Sequence, residues 1–157
     1  MPPSGSPTKE QILDNLQTTL EGITAGADYY NTVAFVTRVD TVPIELKEYP
    51  AIVMVPLGAD YDQPGLATTL AIDVQYRIRL TLAIRTRTTP TEELENFIRD
   101  VHTALLVDIT RGGLAINTRM LDDAVYYPTQ IKEPVAVADC TILVHFRTPR
   151  TNLNQAT

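Results

Sequence analysis

The stretch LAIDVQYRIRLTLAIRTR, residues 70–87, carries the fold of this chain in its alternation. Leu70, Ile72, Val74, Tyr76, Ile78, Leu80, Leu82 and Ile84 hold the even positions. Ala71, Asp73, Gln75, Arg77, Arg79, Thr81, Ala83 and Arg85 hold the odd ones, and Arg87 continues that row. A period of two is a strand period, sending the apolar set to one face and the polar set to the other. Residues 70–86 at ~3.3 Å each would span about 55 Å. Strands of that length are uncommon, so a bend, a bulge or an extension beyond the domain body is expected.

Both flanks of this stretch supply a helix and further strands. Upstream, Thr8 followed by Gln11 fits a capping box, and Ile12, Leu13, Leu16, Leu20 and Ile23 recur at helical spacing until Gly22 and Gly26 close the segment. Residues 32–39 read as a strand, with Val33 and Phe35 on one face and Ala34 and Val36 on the other. Residues 51–55 read as a short buried strand between Pro50 and Pro56, and 57–65, with two acids, a proline and two glycines, as a surface loop. Downstream, Thr89-Pro90-Thr91-Glu92 forms a second capping box. Leu94, Phe97, Ile98, Val101, Ala104 and Leu105 give that helix its apolar face, and Gly112 and Gly113 follow it. Asp122 and Asp123 read as turn residues before a strand at 124–127. The last strand, 137–148, sets Cys140, Ile142, Val144 and Phe146 on one face.

This order predicts one α+β domain over residues 8–148, between a flexible leader at 1–7 and a flexible tail at 149–157. Its sheet is mainly antiparallel, with one long extended strand or hairpin. The two amphipathic helices pack on one face, because a sheet cannot leave both faces uncovered.

Composition restricts what the domain can do. The chain has 157 residues, 44% hydrophobic and 20% charged, as in an ordinary globular protein. No apolar run approaches the ~18 residues of a membrane span, and MPPSGSPTKE has no charged start leading into an apolar stretch, so no secretory signal is expected. Ser4 and Ser6 are the only serines and both sit in the leader, which disfavours a serine nucleophile. The single Cys140 excludes an intrachain disulfide and the common thiolate zinc sites. His145 reads as a surface histidine, and His102 as partly buried packing beside the helical stripe. Gly112-Gly113 lacks the flanking residues of a phosphate loop. No catalytic motif and no cofactor is expected.

Net charge is −6, and it is unevenly distributed. Residues 1–69 hold three basic and nine acidic side chains, whereas 70–157 hold ten of each. The acidic total argues against general nucleic-acid binding. Arg77, Arg79, Arg85 and Arg87 form the most specific feature. They are either a solvated sheet face, a surface for the acidic part of a neighbouring copy, or a polyanion contact. Unlike patches that bind one another propagate into a ring or a filament.

The order and spacing of several segments resemble a known family. A leading amphipathic helix precedes Tyr29-Tyr30-Asn31-Thr32 and a strand, then Tyr49-Pro50-Ala51-Ile52-Val53 and the arginine-bearing strand. This arrangement resembles the small tail-terminator and neck proteins of tailed bacteriophages, and the second helix and closing strand extend the resemblance over residues 8–148. The resemblance implies an α+β protein that assembles as a hexameric ring on the last ring of the tail tube. Such a ring stops tube polymerisation and offers the surface for head–tail joining. It implies as partners further copies of the chain, the tail tube protein and a neck or head-completion protein. Non-specific contact with DNA passing through the channel is compatible with a basic lumen face, and no membrane is involved. The expected location is the virion tail or neck, and the host cytoplasm during assembly. Within it, Arg77, Arg79, Arg85 and Arg87 become a candidate inter-subunit or channel-lining face. Asp60, Tyr61, Asp62 and Gln63 become a candidate contact loop for the tube or neck. The nearest alternative is a head-completion or stopper protein of the neck. The alternative from another class is a small α+β domain that binds an anionic ligand on the arginine face.

Overall fold

A computed structural model describes residues 7–38, 46, 48–62, 71–86, 89–126 and 134–149. Along the chain the elements are α1 (Thr8–Glu21), β1 (Phe35–Arg38), β2 (Ala51–Asp62), β3 (Ala71–Arg85), α2 (Pro90–Val107), β4 (Asn117–Tyr126) and β5 (Val135–Pro149). The five strands form one sheet in the order β1-β2-β3-β5-β4. Only the β1–β2 pair is parallel; the other three are antiparallel. The class is α+β, as the element order implies.

The alternating stretch becomes β3, the centre of the sheet. It pairs with β5 from Ala71↔Pro149 to Arg85↔Val135 with no register shift, so of the bend, bulge or extension expected there the bulge is not in this ladder. Its partners absorb the irregularity. The β2 register shifts between Pro56 and Gly58, and the β4 register between Met120 and Asp122. Pro56 has no amide to give the ladder, and Gly58, at φ 105°, takes a backbone conformation closed to most side chains.

That bulge corrects two sequence readings. Residues 57–62 are strand rather than loop, because proline and glycine mark a kink that β3 bridges on both sides. Asp60, Tyr61 and Asp62 therefore belong to a β2–β3 ladder, and Gln63 lies outside the described residues. Likewise Asp122 and Asp123 are not turn residues; they sit within β4, opposite Thr141 and Cys140. β4 is an edge strand, where charged side chains keep solvent and block further pairing. Of the leader expected at 1–7 and the tail expected at 149–157, Pro7 is instead the N-cap of α1 and Pro149 the last residue of β5; the rest of both, and Arg87, lie outside the described residues.

Neither helix has a side-chain capping bond from its N-cap residue. Pro7, not Thr8, occupies the N-cap of α1, and its carbonyl accepts the Gln11 amide at 3.1 Å. Thr89 does cap α2 with Pro90 in the first turn, but its side chain makes no capping bond. Packing holds these helices instead. Ile12, Leu16 and Leu20 of α1 and Leu94, Phe97 and Val101 of α2 are fully buried against Ile52, Met54, Ile78, Leu80, Leu82, Ile142 and Val144. Each such side chain contributes about 1.5–3 kcal/mol of transfer free energy, far more than a cap. Cys140 lies in this core, and burial pushes its thiol up to about 12. His102 is exposed rather than partly buried, because one step beyond Val101 is a rotation of ~100° off the stripe.

The turn after α2 adds an arginine, unremarked in the sequence, to the two glycines expected there. Arg111, Gly112 and Gly113 all have positive φ, at 51°, 70° and 85°. Arg111 is wholly buried, and its Nη2 donates to the Leu105 carbonyl at 2.7 Å and to the Asp108 carbonyl. A guanidinium thereby meets the negative end of a helix that has no basic residue in its last turn. Burial lowers the Arg111 pKa, and the Asp108 carboxylate opposes that shift.

Candidate functional site

Both helices pack on the face formed by the even positions of β3, so the odd positions form the opposite face. On it the arginines do not remain an unbroken row. Arg77 Nη1 donates to Asp60 Oδ2 at 2.7 Å across the β2–β3 ladder. Two candidates that lie 17 positions apart in sequence are thus one ion pair. Arg79 stands between Val55 and Thr141; its Nε is buried and has no partner among the described residues. Thr81 then donates to Asp139 at 2.6 Å, and Ala83 joins Val135, Val137, Leu46 and Tyr49 in a second small apolar cluster. Arg85 lies beyond that cluster, its guanidinium 5.0 Å from the Tyr49 ring centre.

At the other end of β3, Asp73 accepts from Arg147 Nε at 2.8 Å and lies 3.5 Å from His145 Nε2. The Arg147 hydrogen bond is the main cause holding the Asp73 carboxyl below its usual range, and the same bond raises Arg147. Asp62 faces Asp73 across the β2–β3 ladder. The acidity of the first 69 residues is therefore partly spent within the chain. Asp60 meets Arg77, while Glu10 and Asp14 both meet Arg38. Tyr61 is half-exposed and accepts a hydrogen bond from Lys9 of α1, whose ammonium also lies 4.9 Å from the Tyr61 ring centre.

Arg85 opens onto a cleft of about 550 Å³ at one end of the sheet. Its walls are Tyr30 from the loop after α1, Tyr49 and Pro50 from the start of β2, Arg85, and Glu93 and Asn96 from the first turns of α2. Tyr30 is 58% exposed and also borders a second cleft of about 310 Å³, where Arg99 lies 5.8 Å from its ring centre.

One buried carboxylate positions this wall. Asp100 is 1% exposed and accepts from the Tyr30 amide at 2.9 Å, the Asn31 amide at 2.8 Å and the Asn31 side chain at 2.9 Å. It ties the loop after α1 to α2. Sequence reading passed over Asp100, yet a signal was present: its position lies three residues after Phe97 and four before Ala104, inside the apolar stripe. A carboxylate there needs donors, and backbone amides of a loop supply them.

Among the described residues no group of three His, Cys, Asp or Glu side chains converges as a metal site. The chain matches no protein-family model and no curated protein.

Proposed function

We propose that this chain is a non-enzymatic structural protein of a phage virion, a tail terminator that assembles into a ring through unlike surfaces of neighbouring copies. The ring caps the tail tube, stops its growth and offers the head–tail joining surface. The observation that carries this reading is the sheet face opposite the helices. It is built on a 15-residue central strand, and Arg79 at its middle has a buried Nε with no hydrogen-bond partner among the described residues. The other layer presents exposed acids, Glu92 and Glu95 of α2 among them. A contact between two different patches is heterologous and closes into a ring when its rotation allows.

The ion pairs within the chain refine which arginine matters. Arg77 already has Asp60, so the charge offered to a neighbour rests more on Arg79. Native mass spectrometry of the purified chain, alone and with tail tubes, tests the assembly. Rings in the presence of tubes are expected, and a chain that stays monomeric and ignores tubes sinks the reading. The double variant Arg77→Glu with Arg79→Glu should keep its circular dichroism and thermal transition yet load poorly onto tubes, with Arg79→Glu accounting for most of the loss. Normal loading of the double variant would reduce the face to a solvated one.

A further inference from the structure

The cleft beside Arg85 has a size typical of ligand sites, about 550 Å³. Its lining is more polar than apolar, sets two tyrosine rings and a proline among polar groups, and is close to neutral in charge. Tyr30, Tyr49 and Pro50 supply flat apolar surface, Asn96 supplies an amide, and the charges of Arg85 and Glu93 offset each other. A free anion would meet a carboxylate in the same wall. Grooves walled by aromatic rings with polar groups at their edges suit proline-rich backbone, which carries unpaired carbonyls and loses little entropy on docking.

This chain contains such a segment. Residues 2–7 read Pro-Pro-Ser-Gly-Ser-Pro and hold no charged side chain. Geometry separates that segment from the cleft of its own copy. Pro7 borders Lys9, Tyr61, Val74 and Phe146, at the start of β3, whereas Arg85 ends β3. Val74 and Ile84, ten residues apart on one strand, stand about 33 Å apart. Pro2 lies five residues before Pro7 and reaches at most about 18 Å from it. The segment therefore falls short of its own cleft, while a second copy placed head to tail brings its segment to it.

We propose that the Tyr30–Tyr49 cleft receives the Pro2–Pro7 segment of a second copy, so that each subunit of the ring is strapped to the next. The strap rests on the ring reading for the presence of that second copy, and it adds an end-to-end contact to the sheet-face contact.

The test uses the full chain carrying Pro2→Ser and Pro3→Ser, labelled with ¹⁵N, and a synthetic peptide of residues 1–8. Peptide addition should shift the amides of Tyr30, Asn31 and Asn96. Tyr30→Ala, at an exposed side chain, should weaken that binding about tenfold, as loss of an aromatic anchor does. No shift at the cleft with millimolar peptide overturns the proposal. So does a cleft that responds to inorganic phosphate and ignores the peptide, which marks it as an anion site. On tail tubes, the Pro2→Ser, Pro3→Ser chain should assemble about tenfold less readily than the parent. Assembly equal to the parent overturns the strap and leaves the ring standing. A parent that ignores tubes while the peptide still marks the cleft sinks the ring and keeps the docking of one copy's segment on another.

Discussion

The two faces of the central strand belong to the same residues in alternation, yet different physics holds each one. Toward the helices, Ile78, Leu80 and Leu82 are fully buried in a continuous core. Away from them, Arg77 leans on Asp60, Thr81 donates to Asp139 and the buried Nε of Arg79 has no hydrogen-bond partner among the described residues. The helical face follows from area removed from water, which needs no particular partner. The open face depends on individual pairs, each of modest strength at a surface. Stability should therefore concentrate on one side of the sheet and interaction on the other.

The sharpest way to break that contrast is Phe97→Ala. The ring is fully buried between α2 and the sheet, so the variant should lose about 4 kcal/mol in denaturant unfolding. A loss below about 1 kcal/mol would mean the helical layer does not carry the fold. Asp100→Ala comes next, at about 2–3 kcal/mol, because it leaves two backbone amides and an Asn31 side chain without their acceptor. Hydrogen exchange at Tyr30 and Asn31 should rise with it; unchanged protection there would show that the loop is held by something else.

Asp73→Asn, on the open face, should cost at most about 1 kcal/mol. Its pH dependence identifies the cause. The Arg147 hydrogen bond favours the ionised carboxylate in the folded state, so its pKa is depressed there. That stabilisation is present above the unfolded value of ~3.9 and is lost as pH falls through the lower folded value. Urea midpoints of parent and variant should thus differ steadily from neutrality to about pH 5 and converge below about pH 4. A gap that persists at the acid end would assign the effect to shape rather than charge.

These cases show how unevenly the sequence spoke. β3, both helices and their buried stripes were legible because a period of 2 or 3.6 is written by local geometry alone. The second half of β2 was not, since Pro56 and Gly58 look like chain-breakers until β3 lies alongside and turns them into a bulge. The arginines were legible as a row, but not their division, because Asp60 and Tyr49 reach Arg77 and Arg85 only through strand pairing. Asp100 was visible only as an oddity inside an apolar stripe.

By itself the sequence determined the α+β class, the element order, the face that each helix buries and the odd-numbered arginine row. Those follow from periodicity and from the cost of leaving apolar surface in water, both of which act over a few neighbouring residues. Tertiary structure alone decided which charges cancel, which strand carries the bulge, and that residues 30, 49, 85, 93 and 96 share one cleft. Those depend on contacts between segments far apart in the chain, and no local pattern records which segment will lie beside which.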